Sequence, residues 1–166
     1  MKKKIFIVNG MARCGKDTFA MLLDEIVPVY KYSSIDKVKM IARLCGWKED
    51  KSEKGRKFLS DLKLLTTEYS DMPFTSIKDK VIRFLYNDDE HFVMLIDIRE
   101  PNEIERAKET FNAETILIKN DRVPFIASNM ADANVFNYDY DYVIENNGTI
   151  DEFKEQIIIF AKENLS

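Results

Sequence analysis

The sequence predicts an α/β fold, a three-layer arrangement with helices on both faces of a five-stranded, mainly parallel sheet. Three observations predict it. Short apolar runs at 4–8, 29–32, 92–96, 115–118 and 142–144 read as strands, and most are separated by segments whose apolar residues recur at helical spacing. The run from Phe92 to Ile96 is uninterrupted, as expected of a central parallel strand covered on both faces. The 166 residues contain no internal repeat, low-complexity stretch or Pro/Gly-rich linker, so the chain reads as one domain with length enough for such a core.

The elements follow in order. After the first strand a helix starts near Lys16 and ends before Pro28; Val29 to Tyr32 is the second strand. Ser34 can cap a helix with Ile35, Val38, Ala42 and Cys45 on one face, and Gly46 stops it. Two helices then follow with no strand between them. One carries the stripe Phe58, Leu62, Leu65 and Tyr69; the other opens near Pro73 and carries Ile77, Val81, Phe84 and Leu85. After the third strand, Ile104, Ala107 and Phe111 mark the inner side of the next helix. Residues 120–140 are polar and lack a clean period, which reads as a flap. Thr149 and Glu152 have capping-box spacing, opening a last helix with Phe153, Ile157 and Phe160 inward.

Composition narrows the function classes. Hydrophobic residues at 45% and charged residues at 33% are ordinary for a soluble protein, and a net charge of −4 argues against binding a nucleic-acid polymer through a broad basic surface. Lys2, Lys3 and Lys4 read as a solvated N-terminus. The apolar run behind them is too short for a signal-peptide core, and no run approaches a membrane span. Cys14 and Cys45 suggest free thiols in a reducing compartment, hence a cytoplasmic protein. Two cysteines and the single histidine, His91, cannot build a zinc site at this spacing.

The chemistry is concentrated after the first strand. Gly10-Met-Ala-Arg13-Cys14-Gly15-Lys16-Asp17-Thr18 places two glycines around a four-residue gap, then a lysine, between a strand and a helix. This is the spacing of a phosphate-binding P-loop (Walker A). Loop amides and the helix N-terminus face the phosphates, and Lys16 reaches the terminal ones. Asp17 stands where such loops usually have Ser or Thr. A carboxylate is also a hard ligand for Mg²⁺, so Asp17 either helps to hold the metal or marks a degenerate loop. Cys14, beside Arg13 and Lys16 at a helix start, is expected to favour the thiolate, so that oxidants or alkylating reagents block ATP binding. The alternative is a small residue that fits a tight turn.

In open α/β sheets ligands bind at the carboxyl ends of the strands. Asp97, ending the apolar third strand, has the placement of a Walker B carboxylate that orients Mg²⁺ or its water shell; the competing reading is a cap for the helix that starts at Pro101. Arg99 can clamp an acceptor phosphate through its guanidinium fork or pair with Glu100 or Glu103. Arg122 in the flap is a candidate for charge stabilisation on closure, or a solvated loop arginine. Arg56 faces a similar choice, and Lys39 lies on the polar side of its helix. A GTPase switch is disfavoured: Asp97 is not followed by the glycine such switches use, and there is no Asn-Lys-x-Asp segment.

Residues 10–18 resemble the loop of phage-type deoxynucleoside monophosphate kinases and of the related animal-type phosphomevalonate kinases, where Asp also follows the P-loop lysine. Asp97-Ile-Arg99-Glu-Pro-Asn-Glu103 is similar to the Asp-x-Arg-x-x-Asn-Glu segment of the same kinases. Tyr32-Ser-Ser34-Ile-Asp36-Lys-Val-Lys39 is similar to their acceptor-side helix start, and Asp141 to Thr149 resembles the ending whose loop, here with Asn146, passes near the adenine. The flap lacks the His-x-Ser-Glu that often sits there. The resemblance implies a P-loop NTP hydrolase fold of a single domain. Its core would be 1–33, 91–119 and 138–166, with a helical acceptor-binding insertion at 34–90 and a lid-like flap at 120–137.

It also implies a phosphotransferase using ATP and Mg²⁺. Gly10, Arg13, Cys14, Gly15, Lys16, Asp17, Thr18 and Asn146 would lie at the nucleotide, and Asp17 and Asp97 at the metal. Ser34, Asp36, Lys39, Arg56, Arg99 and Glu103 would lie at the acceptor, with Lys16, Asp97, Arg99 and Arg122 in catalysis. The acceptor expected first is a (deoxy)nucleoside monophosphate. Alternatives are a mevalonate phosphate, dephospho-coenzyme A, or an ATP-binding sensor without an acceptor. The expected partner is a small molecule, with neither membrane nor nucleic-acid polymer; a homodimer is left open.

Overall fold

The computed structural model describes residues 2–124 and 132–165. Its sheet contains β1 (Lys4–Asn9), β2 (Val29–Ser33), β3 (Val93–Asp97), β4 (Glu114–Lys119) and β5 (Tyr142–Glu145) in the spatial order β2-β3-β1-β4-β5. Every pairing is parallel. The helices are α1 (Lys16–Asp24), α2 (Asp36–Leu44), α3 (Glu53–Ser70), α4 (Met72–Asn87), α5 (Pro101–Phe111) and α6 (Ile150–Asn164). The expected α/β sandwich is present, and the expected flap at 120–137 falls partly outside the described residues.

Strand alternation divides the core into two layers. Phe6, Val8, Val93 and Leu95 point toward α1 and α6, where they meet Phe19, Leu23, Phe153, Ile157 and Phe160. Ile5, Ile7, Met94 and Ile96 point the other way, onto Ile77, Val81 and Phe84 of α4 and Ile104 and Ala107 of α5. Phe6 and Phe160 meet edge to face with ring centroids 5.4 Å apart. Each such fully buried side chain contributes roughly 1.5–3 kcal/mol through removal from water.

The α3 helix of the insertion is built differently. The stripe Phe58, Leu62, Leu65 and Tyr69 does not become core: Leu65 is 64% and Tyr69 89% exposed, and Gly55 is the buried residue of α3. The helix packs on α2 and α4, and its outer face is exposed among the described residues. Its start is nonetheless specified, because Ser52 Oγ accepts from the Gly55 N–H at 3.0 Å.

Two further starts contrast. The capping box of α6 is complete, with Thr149 Oγ1 accepting from the Glu152 N–H (3.2 Å) and Glu152 Oε2 from the Thr149 N–H (2.6 Å). At α2 the cap expected from Ser34 is absent. Ile35 holds that position, and Asp36 Oδ2 instead accepts from the Ser33 N–H at 2.9 Å, closing the turn that leaves β2.

On the far side of the sheet, Asp141 fixes the entry to β5. Its carboxylate accepts from the Thr115 N–H (2.8 Å), Thr115 Oγ1 (2.9 Å) and Lys108 Nζ (2.7 Å). Burial opposes ionisation, but these donors outweigh it and hold the Asp141 carboxyl below its usual range.

The topology positions a crevice. The chain leaves β1 through α1 on one face and leaves β3 through α5 on the other, although the two strands are neighbours. Such a reversal opens a cleft at the carboxyl ends of β1 and β3.

Candidate functional site

The loop joining β1 to α1 occupies one wall of that crevice. Gly10 (φ +150°) and Gly15 (φ +108°) have backbone conformations that side chains resist, and both are hemmed in. A Cβ on Gly10 would lie 2.5 Å from the Ile118 carbonyl oxygen, and one on Gly15 would lie 2.5 Å from Asn146 Nδ2. Asn146 in turn donates from Nδ2 to the Cys14 carbonyl at 3.0 Å, so the segment after β5 buttresses the loop. Arg13 adopts a left-handed conformation (φ 65°) without being glycine and is exposed, and Thr18 lies in the first turn of α1.

Lys16 turns back over this loop, donating from Nζ to the carbonyls of Gly10 (2.6 Å) and Met11 (2.9 Å). Burial lowers the pKa of its ammonium. Cys14 does not have the environment expected of a thiolate. Its thiol is buried at 1% exposure, and burial raises its pKa against the pull of Lys16, 3.9 Å away, so the environment favours the thiol over the thiolate.

The sheet edge supplies the carboxylates. Asp17, fully exposed on the first turn of α1, pairs with Lys31 of β2, and the same ammonium lies 3.3 Å from Asp97 Oδ2 at the end of β3. The bond to Lys31 holds the Asp17 carboxyl below its usual range, with Lys16 and Lys39 adding weaker pulls. Asp97 is pushed up by burial, which exceeds the opposing pull of Lys31 and Lys16. Among the described residues no group of three or more His, Cys, Asp or Glu side chains could hold a metal. Two carboxylates suffice for Mg²⁺, which commonly takes one or two and fills its remaining positions with water and substrate phosphate. The donor set therefore fits that ion.

Arg99 stands opposite. Its described partner is neither Glu100 nor Glu103 but Asp132, a buried carboxylate 3.3 Å from Nη1. Asp132 Oδ1 also accepts from the Ala12 N–H at 3.2 Å, so one carboxylate spans the loop and Arg99. Asn9 is fully buried and joins the same segments. Its Oδ1 accepts from the Gly10 N–H (2.8 Å), and its Nδ2 donates to the Arg99 carbonyl (3.1 Å) and to Tyr140 Oη (2.8 Å).

The remaining candidates separate. Ser34 and Glu103 line a small pocket of about 80 Å³ between α3, α4 and α5, together with Thr67, Phe74 and Arg106. Glu103 pairs there with Lys63 at 2.8 Å. Asp36 instead borders a wider cleft of about 460 Å³ beside β2, between α2 and α4, lined also by Tyr32, Ser76 and Lys80. Arg56 is exposed on the first turn of α3, in the lining of neither. Arg122 donates from Nη2 to the Asn146 carbonyl (3.1 Å), which places it on the β4–β5 side of the crevice.

Sequence reasoning missed Lys31, Asn9, Asp132 and Lys63. Two of these had a signal: a lysine amid the apolar positions of a strand, and an asparagine closing an apolar run. Asp132 and Lys63 had none, because their partners lie 33 and 40 residues away.

No protein-family model and no curated protein matches this sequence. Solved structures do match in shape. Shikimate kinase from Aquifex aeolicus is 15% identical, with 97% of this chain and 98% of that one covered and a TM-score of 0.56. Dephospho-CoA kinase from Campylobacter jejuni is 14% identical, with 97% of each chain covered and a TM-score of 0.52. Thymidylate kinase from Candida albicans is 13% identical over 99% of this chain and 93% of that one, at a TM-score of 0.50. Sheet order, loop and near-complete coverage together show that this chain has the α/β P-loop fold found in these small-molecule kinases.

Proposed function

We propose that the protein is an ATP-dependent phosphotransferase that moves the γ-phosphoryl group to a small phosphorylated acceptor, with a (deoxy)nucleoside monophosphate as the first candidate. The observation that carries this reading is that the glycine-flanked loop and Arg99 leave neighbouring strands at the same edge of the sheet. The loop carries Lys16, and Arg99 lies at the end of the neighbouring strand. Phosphoryl transfer asks mainly for positioning and charge neutralisation, which is what these groups can supply.

In this reading the loop amides and Lys16 hold the triphosphate, while Asn146 steadies the loop from behind. Asp17 and Asp97 would hold Mg²⁺, which supplies charge neutralisation at the phosphates. Arg99 grips the acceptor phosphate, and Ser34, Thr67, Phe74, Glu103 and Arg106, whose pocket of about 80 Å³ admits only part of a nucleoside, border the rest of that molecule. The bond between the β,γ-bridging oxygen and the γ-phosphorus breaks, and a bond from an acceptor oxygen to that phosphorus forms. The order of sheet strands and the kinases that share this fold support the assignment; the acceptor is chosen by resemblance of the loop and of the Asp97–Glu103 segment.

The test is ADP release by purified protein with Mg-ATP, offered deoxynucleoside and nucleoside monophosphates, mevalonate phosphate, dephospho-coenzyme A and shikimate in parallel. A nucleoside monophosphate that accelerates ADP release many-fold is the expected result. Acceleration by one of the others alone would keep the phosphotransferase and replace the acceptor. ADP release that no acceptor increases would favour an ATP-binding sensor.

A further inference from the structure

Lys31 occupies an unusual place in the sheet edge. It lies in the middle of the outer strand β2, in register with Leu95 of β3, and points to the face covered by α1. Asp97 is two residues further along β3, roughly 7 Å toward the carboxyl edge at strand rise, which is within reach of an extended lysine stem. The ammonium ends between the two carboxylates, bonded to Asp17 and 3.3 Å from Asp97 Oδ2. Those two side chains come from different elements, the first turn of α1 and the end of β3, and Lys31 is the cation that joins them.

We propose that Lys31 is a resident counter-cation that holds the Asp17–Asp97 pair in the nucleotide-free protein and has to withdraw before a divalent cation can use the same carboxylates. This rests on the reading above that Asp17 and Asp97 are the metal-holding pair. An ammonium in contact with both carboxylates and a divalent ion cannot share that space, since like charges at contact distance repel strongly. The free protein therefore rejects bare Mg²⁺, and the metal enters with the nucleotide, whose phosphates add the negative charge needed to outcompete one lysine. Lys31 is in this sense a positioning residue. It sets the order of loading and keeps Asp17 and Asp97 aligned while the site waits.

The experiment is a Mn²⁺ titration of the nucleotide-free protein followed by electron paramagnetic resonance, which counts free Mn²⁺ directly and involves no turnover. Lys31→Gln and Lys31→Met are expected to bind Mn²⁺ at least about tenfold more tightly than the wild type, because a neighbouring positive charge has been removed. Lys31→Arg, which keeps the charge, is expected to stay at the wild-type level. Adding Asp97→Asn to Lys31→Gln is expected to abolish the gain. Lys31 is partly exposed on an edge strand, and a circular dichroism melt of each variant checks that it is folded. Unchanged Mn²⁺ affinity in both neutral variants would overturn the proposal, and so would a gain that survives Asp97→Asn. Neither outcome bears on ADP release, so this inference and the kinase reading fail separately.

Discussion

The loop-bearing half of the molecule and the α3 helix are assembled by different rules. Around the loop, nearly every group is committed: α1 buries Phe19, Ala20, Leu22 and Leu23, Lys16 is bonded to two loop carbonyls, and the two loop glycines have no room for a methyl group. In the insertion, α3 runs for 18 residues with Gly55 as its buried residue, while Leu64, Leu65 and Tyr69 face solvent. In the proposed role the loop amides have to be aimed before a phosphate arrives, and these contacts fix the loop in advance. On the proposed function α3 lies beside the acceptor, and a helix with so few buried apolar side chains opens locally at little cost.

The sharpest way to break this comparison is to remove one charged group from each wall. Lys16→Ala is expected to lower kcat by at least about a hundredfold and to weaken ATP binding. Arg99→Ala is expected to lose activity on a similar scale while retaining ATP affinity. Isothermal titration with a non-hydrolysable ATP analogue separates the two, and equal loss of nucleotide affinity in Arg99→Ala would show that the walls do not divide the work.

Packing provides the next test. Phe153→Ala, on the buried face of α6, is expected to cost about 3–5 kcal/mol of stability. Tyr69→Ser on α3 should stay within about 0.5 kcal/mol. Chemical denaturation of both variants measures the contrast directly. A comparable loss at Tyr69 would mean that the outer face of α3 is covered in solution.

A smaller loss than at Phe153 is expected at Asp141, on the packed side but away from the crevice. Asp141→Ala leaves the buried Thr115 N–H without its acceptor, at a cost of about 1–3 kcal/mol. Because folding lowers the pKa of this carboxyl, its ionic contribution is complete above the unfolded value near about 3.9 and is lost as the pH falls through the folded value below it. The stability gap between wild type and variant should therefore narrow in acid, and a gap that widens there would reverse the assignment.

The fold was legible because its signals are local. Strand runs, helical periods, the capping box at Thr149 and the glycine spacing at 10–15 each act over a few residues. Where longer-range packing decides, the sequence misleads. The apolar stripe on α3 has helical spacing yet stays largely solvated, and Ser34 has the chemistry of a cap while Asp36 closes the turn. Cys14 shows the same limit in the site: its charged neighbours are visible in the chain, but its burial, which decides the pKa, is a property of the folded loop. The bridging of Asp17 and Asp97 by Lys31 depends on strand register and helix placement, neither of which a residue pattern encodes.

Asn9 makes the two walls mechanically inseparable. One amide side chain grips the turn that starts the loop, the backbone leaving β3 at Arg99 and the hydroxyl of Tyr140. Anyone grafting a new specificity onto this scaffold would have to transplant that three-way knot intact, since loosening any strand of it lets the opposite wall drift out of line.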